Sequence, residues 1–390
     1  MWLFFWFHEK IHTIWDNIFY KLYLMFKVLK QHEKRQDNSS IEWFFDLIFV
    51  ALIIQLNLFI THDFTGFHFY IYAIILLWLY WVWLGYTIYH ERCYKILDDF
   101  EKKTLFLKII FLWLIGASIP GILWETTWVF ITFFILVRLM LVVLWSRVYI
   151  NHPQSRPLTK IYIWWFSIWI IFWAISLLFD SIQVQVIFWS LAILTDILTP
   201  LFTIKVQKAL PTLSTPHYFE RFSLFTLIAL WEVIITIVKT SYTLDLQNIN
   251  NIFWIIFLFY VVYWIYRKYF EEFSEAKQKY DISRLYFYHY FHFFIIFWIL
   301  LVSIWFYMTV EKDNLNFFNY HTSLITTWLI LFIGTIRILE SILGCFWLNL
   351  RKKIFILLIG IWSIVSYILE IPYVWAVLLL ILMSYEIIFE

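Results

Sequence analysis

The feature that most constrains this chain is a series of apolar stretches, each close to the length a helix needs to cross a bilayer. A span takes ~20 residues to cover ~30 Å of hydrocarbon. Twelve stretches approach that length: 41–62, 66–89, 104–121, 125–148, 159–180, 183–204, 217–239, 249–267, 285–308, 322–346, 353–369 and 371–388. Of the 390 residues 63% are hydrophobic and only 14% charged, too little polar surface to cover a water-soluble core of this size. The chain therefore reads as an all-α integral membrane protein of about twelve transmembrane helices. The last two stretches are short and joined by "LEIPY", so one broken helix or a re-entrant pair is the alternative there.

Orientation follows from the loops. Basic residues gather before the first span (Lys10, Lys21, Lys27, Lys30, Lys34, Arg35) and after the second (Arg92, Lys95, Lys102, Lys103). They recur after spans four (Arg147, Arg156, Lys160), six (Lys205, Lys208), eight (Arg267, Lys268, Lys277, Lys279) and ten (Arg351, Lys352, Lys353), while "THDFTG", "PGILWETT" and "FDSIQ" are nearly free of them. The positive-inside rule then places both termini in the cytoplasm. The start "MWLFFWFHEK" lacks the basic region and cleavage site of a signal peptide. Cys93 and Cys345 carry no metal-type spacing and fall at cytoplasmic ends, as reduced thiols would. Before the first span, Ile11, Ile14, Trp15, Ile18, Phe19, Leu22, Phe26 and Leu29 share one helical face. His12, Asp16, Lys21 and Lys27 take the other face, so residues 1–40 are expected to hold an amphipathic segment. It lies in the membrane interface or packs on the protein's own cytoplasmic face.

A weak internal repeat divides the rest. Laying "HYFERFSLFTLIALWEVII" of span seven over span one aligns Glu220 with Glu42, Phe222 with Phe44 and "IAL" with "VAL", without a gap. "ILVRLMLVVLW" in span four and "GTIRILESILG" in span ten align Arg138 with Arg337. The expectation is a parallel 6+6 duplication, with repeats at 41–205 and 206–390.

Charges inside the spans are the candidate functional groups. Arg138 and Asp196 fall near the midplane, Glu232 lies past the middle of span seven, and Arg337 and Glu340 share a face of span ten. With Asp46, these six groups would oppose insertion by up to ~15–20 kcal/mol, at ~2.5–3.5 kcal/mol for a central charge. They must therefore face partners or water and not lipid. Static ion pairs are one reading: Arg337 with Glu340 within one helix, Arg138 with Asp196 across the bundle. The other is a polar path in which Asp196, Glu232, Arg138, Arg337, Glu340 and His292 serve a moving proton, ion or solute. Glu232 favours the path, having no basic residue within a turn on its own helix; Pro200 frees a backbone carbonyl near Asp196. At the cytoplasmic mouth, Glu42, Asp46, His217, Glu220 and Arg221 form a second candidate cluster, either anchoring or chemical. His289 and His292 are three apart, a weak metal signal, and no metal site is expected; a pH-sensitive role suits His292 better. No phosphate-binding Gly-rich loop, nucleophile elbow or HExxH occurs among these residues, which excludes a self-contained ATP-driven pump. No cofactor and no nucleic-acid partner is expected.

"IEWFFDLIFVALIIQL" resembles the opening signature of the bacterial low temperature requirement protein A (LtrA) family, and "HYFERFSLFTLIALWEVII" resembles its second signature. "YTIYHERCYKILDDFEKK" and "YFHFFIIFW" are similar to the family's segments after span two and at the start of span nine. The resemblance runs through nearly the whole chain. It carries over Glu42, Asp46, Gln55, Asp98, Asp99, His217, Glu220, Arg221, Glu232 and His292, and implies a bacterial cytoplasmic membrane. The chain departs at Trp231, where the family has Gly before its span-seven Glu; a bulky ring there would narrow any close approach to Glu232.

These observations favour a secondary transporter or channel moving protons, cations or a small solute between two six-helix halves. The rival is a membrane enzyme or assembly factor acting on lipid or envelope precursors at the cytoplasmic cluster; a structural scaffold is a third reading. Enzymatic activity is the less expected outcome. Partners are the bilayer and a small ion or solute, with oligomeric state open.

Overall fold

The computed structural model describes residues 39–93, 98–207, 215–243, 249–272, 282–311, 332, 334–336 and 338. Nine helices lie within these residues: α1 (Ser39–His62), α2 (Gly66–Cys93), α3 (Asp99–Ser118), α4 (Thr127–Asn151), α5 (Arg156–Ser176), α6 (Ile182–Gln207), α7 (Thr215–Thr243), α8 (Ile249–Arg267) and α9 (Ile282–Glu311). All nine are long and apolar enough to cross a membrane, and they coincide with the first nine expected spans. Among the described residues the structure is all helical, with the multi-pass pattern of a membrane protein. Spans eleven and twelve, all of span ten except 332, 334–336 and 338, the amphipathic segment before α1, and Arg337 and Glu340 lie outside the described residues.

The helices are nearly uniform in hydrophobicity around their circumference, because in a bilayer both the lipid side and the protein side are apolar. Position in the bundle therefore comes from packing. α2 and α9 are the most enclosed helices: α2 touches α1, α4, α6, α7 and α9, and α9 packs on α7, α1, α2 and α6. α3 to α6 follow as successive neighbours and present Trp113, Trp128, Trp164 and Ile171 outward. Short turns hold these neighbours antiparallel. Between α3 and α4 a 3-10 turn at Ile119–Gly121 is tied by Thr126 Oγ1 donating to the Ser118 carbonyl at 2.6 Å.

Membrane bundles commonly pack through small residues, but this chain has only seven glycines and 93 aromatic residues' worth of rings to place, namely 43 Phe, 25 Tyr and 25 Trp. Its interfaces interlock rings. Trp78 of α2, Phe134 of α4, Trp173 of α5 and Trp189 of α6 meet in one cluster, with Trp78–Trp173 centroids at 4.2 Å and Phe134–Trp173 stacked at 4.9 Å. Such pairs add about 0.5–1.5 kcal/mol each beyond their burial. Glycine is used for close approach at two points. A Cβ on Gly85 would stand 3.1 Å from Leu141, and one on Gly116 would stand 3.0 Å from Leu52. Gly85 thereby lets α4 close on α2 beside Arg138.

The elements assigned to the two expected repeats share one packed core, since α1 and α2 contact α7 and α9. Arg221 near the start of α7 bonds Glu42 and Asp46 near the start of α1, and the neighbouring Phe222 packs on Tyr288 of α9 at 4.9 Å, so the starts of α1, α7 and α9 gather at one end of the bundle. That arrangement positions the site.

Candidate functional site

The first polar layer lies near the start of α1. Arg221, one to two turns into α7, reaches across to α1 with Nη2 2.9 Å from Asp46 Oδ1 and Nη1 3.4 Å from Glu42 Oε2. From α2, the Trp83 indole N–H donates to Asp46 Oδ1 at 2.9 Å, and His90 Nε2 stands 2.8 Å from Glu42 Oε1. Glu42, Asp46 and Arg221 are all buried. The cluster therefore joins α1, α2 and α7 by charge-assisted contacts in a setting with little water. Of the residues expected here, Glu42, Asp46 and Arg221 come together. Glu220 is half-buried and forms no hydrogen bond or ion pair with them among the described residues. The His217 side chain lies outside those residues. His90 and Trp83 were not singled out from sequence; His90 carried a signal, lying in the same family-like segment as Asp98.

A neighbouring layer fixes the start of α3. Asp98 is the N-cap: its side chain accepts from the Glu101 N–H at 2.9 Å, while Glu101 Oε2 accepts from the Asp98 N–H at 3.3 Å. This reciprocal capping box satisfies two donors that the first helical turn leaves open. Tyr89 of α2 donates to Glu101 at 2.9 Å, and Arg147 of α4 pairs with both Asp98 oxygens. The Arg147 hydrogen bonds hold the Asp98 carboxyl below its usual range, aided by backbone N–H groups. A depressed carboxyl contributes stability above its unfolded value of about 3.9 and loses it as pH falls through the lower folded value. The pair is partly exposed, so the contribution is below about 1 kcal/mol. Arg147→Gln is expected to lower the melting temperature slightly at pH 7, with the difference from the parent shrinking below pH 4. A difference that grows on acidification would contradict the pairing.

The midplane charges pair. Arg138 of α4 bonds directly to Asp196 of α6, and its guanidinium lies against the rings of Phe166, at 4.2 Å, and Trp169, at 4.9 Å. Both charged side chains are 2% exposed. The geometry favours the static pair over a moving one for these two residues. Asp196→Asn is expected to cost about 3–5 kcal/mol by leaving Arg138 buried without its carboxylate, whereas Arg138→Met with Asp196→Leu should be near neutral or stabilising by about 1–4 kcal/mol. Thermal unfolding of the purified single and double variants checks this, and an equally damaged double variant would contradict it.

A further buried cation, Lys108 of α3, escaped the sequence reading. Its Nζ lies 4.6 Å from the Tyr86 ring and 5.1 Å from that of Phe45, without a hydrogen-bond partner among the described residues. Ring faces supply the attraction a carboxylate otherwise would. The signal was present: a lysine between Leu107 and Ile109 in an apolar run.

The last polar layer holds Glu232, which is 1% exposed. It lies eleven residues along α7 from Arg221, ~16 Å deeper at ~1.5 Å per residue. Thr236, one turn on, donates to Glu232 Oε1 at 2.9 Å, and Ser303 of α9 donates to the same oxygen at 3.1 Å. The Asn57 amide also lies within hydrogen-bond reach of Glu232, and Oε2 accepts from neither hydroxyl. Asn57 of α1 receives the Tyr72 hydroxyl of α2 on Oδ1 at 3.0 Å. Glu232, Asn57, Thr61, Thr236 and Ser303 line a cavity of about 40 Å³, with the exposed Lys239 at its edge. Thus one carboxylate, one amide and several hydroxyls from α1, α7 and α9 converge. Trp231, expected to crowd Glu232, is 55% exposed and lines a separate apolar groove of about 700 Å³ with Trp43, Asp46 and Leu47. Adjacent helical residues diverge by ~100°, so the ring leaves the carboxylate cavity clear.

Between the two layers the bundle is aromatic. Phe225 stands 4.4 Å from Trp83 and 5.9 Å from Phe49 by ring centroids. His292 is fully buried here, with Nε2 3.1 Å from Thr226 Oγ1, and the Tyr80 hydroxyl donates to the His289 carbonyl at 2.8 Å. Among the described residues no group of three or more His, Cys, Asp or Glu is placed to hold a metal.

Residues 38–385 match the family model of the bacterial low temperature requirement A protein (LtrA). No curated protein and no solved structure matches the chain.

Proposed function

The chain belongs to the bacterial low temperature requirement A family, and from that premise we propose that it is a secondary transporter or channel of the cytoplasmic membrane. The proposed design is twelve spans in a 6+6 arrangement with cytoplasmic termini, supported by the aligned signatures and by the alternation of basic loops. Glu232 is the group that takes the transported proton or cation. The observation that carries this reading is its setting: a buried carboxylate whose hydrogen-bond partners, the Thr236 and Ser303 hydroxyls and the Asn57 amide, are all neutral, with no ion pair among the described residues. An ionised carboxylate left uncompensated in a low-dielectric interior costs several kcal/mol. A proton or a bound cation removes that cost, and the choice between them is the basis of coupled movement. Glu42, Asp46 and Arg221 clamp the cytoplasmic mouth, and the Phe49–Phe225–Trp83 layer separates it from the cavity. Arg138 and Asp196 buttress the first half.

The test is ion flux into liposomes for the parent and Glu232→Gln. The amide keeps the shape and still accepts from Thr236 and Ser303, so loss of flux without loss of fold supports the reading.

One observation favours the rival, a lipid- or envelope-directed activity at the cytoplasmic side. The 700 Å³ groove between α1, α7 and α8 is almost wholly apolar and has Asp46 at its polar end. That reading makes Glu232 dispensable and the Asp46 cluster essential, so the same pair of proteins discriminates the two.

A further inference from the structure

We propose that the cavity at Glu232 is a binding site for a single dehydrated monovalent metal cation of sodium's size, an inference that rests on the transport reading and names its ion. The oxygen donors of the lining are the Glu232 carboxylate and the hydroxyls of Thr61, Thr236 and Ser303, with the Asn57 amide beside them. Oxygen donors suit hard cations, and the absence of sulfur and imidazole from this lining disfavours the transition metals.

Charge selects the valence. One carboxylate balances one positive charge, whereas divalent sites raise their affinity by adding carboxylates. Lys239, at the cavity edge, further opposes a second positive charge. Size selects the hydration state. A cavity of about 40 Å³ has room for an ion or one to three waters, given that a single water needs ~10–15 Å³ of such volume. It has no room for an ion with its full shell.

The hydrogen bonding leaves the right atoms available. Thr236 and Ser303 both donate to Oε1, so neither hydroxyl occupies the buried Oε2. Each hydroxyl that donates to Oε1 keeps lone pairs for an ion. Asn57 turns its amide N–H2 to Glu232 while its Oδ1 accepts from Tyr72; on ion binding the two ends of the amide exchange, so that the Tyr72 oxygen accepts from Nδ2 and the amide oxygen faces the cation. Three helices thus share one ion, so binding couples α1, α7 and α9, and a proton on Glu232 competes with it.

The experiment is equilibrium binding of radiolabelled sodium to the purified full chain in detergent, together with melting temperatures in sodium, lithium, potassium and choline chlorides at constant ionic strength. The parent should bind about one sodium per chain, with a saturable rise in melting temperature absent in choline. Acidification should weaken the binding. Glu232→Gln should abolish it, and Asn57→Ala and Ser303→Ala should each weaken it tenfold or more. Asp180→Asn, an exposed loop carboxylate, should bind as the parent does. No saturable sodium binding by folded parent, or undiminished binding in Glu232→Gln, overturns the proposal. Sodium binding without flux in liposomes retains the site and overturns the transport reading. Proton flux with no sodium binding does the reverse.

Discussion

Replacing Arg221 by methionine is expected to destabilise the protein by about 3–5 kcal/mol, the usual consequence of removing one partner from a buried ionic cluster. Arg221 stands between two carboxylates on another helix, at 2.9 Å from Asp46 and 3.4 Å from Glu42. Without it, two buried negative groups one helical turn apart would repel each other and lose the guanidinium that bridges them, leaving the His90 contact to Glu42 alone on that acid's other oxygen. Trp83 donates one hydrogen bond to Asp46, which cannot replace a guanidinium. The expected readouts are a large fall in melting temperature and a low yield of monodisperse protein. Adding Glu42→Gln and Asp46→Asn to the Arg221→Met chain should recover most of the loss, because no buried carboxylate then remains to be compensated. A single variant that melts with the parent would mean that water, and not Arg221, satisfies the two acids.

The second large effect is on transport. Glu232→Gln should reduce proton or sodium flux to the background of protein-free liposomes while leaving the melting temperature near that of the sodium-free parent. Joint neutralisation of Glu232 and Asp196, which the sequence suggests as a pair of midplane acids, is the weaker design. Asp196 is bonded to Arg138, so Asp196→Asn endangers the fold and confounds a lost flux with a lost protein. Glu232 makes no such ion pair among the described residues, and its amide replacement keeps both hydroxyl contacts.

The helices were legible because the bilayer imposes a length. Span eight, expected at 249–267, is observed as Ile249–Arg267, and span one, expected at 41–62, starts two residues earlier at Ser39. Span three was placed at 104–121, whereas α3 begins at Asp99. The capping box of Asp98 and Glu101 extends the helix into a stretch whose charges look like loop. The partnership of Arg138 with Asp196 is also open to reasoning, since each charge near the midplane needs a counter-charge and these two fall at similar depth on spans four and six. What the sequence left hidden is the rotation and depth of one helix against another. Helices that face lipid on one side and protein on the other carry no contrast to mark the buried side. Asn57, Tyr72 and Ser303 therefore gave no sign that they gather around Glu232, being neutral residues scattered through apolar runs. For the same reason Glu220 was grouped with Arg221 by adjacency in sequence, although neighbouring residues on a helix point ~100° apart. The repeat boundary at 206, and the role of the last three spans, rest on the aligned signatures alone.

The most direct test of the account is sodium and proton flux into liposomes containing the parent or the Glu232→Gln chain, at matched incorporation and with folding verified by melting in detergent. The account predicts saturable flux in the parent and background flux in the variant. Flux in the variant equal to that of the parent would contradict it, and would take Glu232 out of the path.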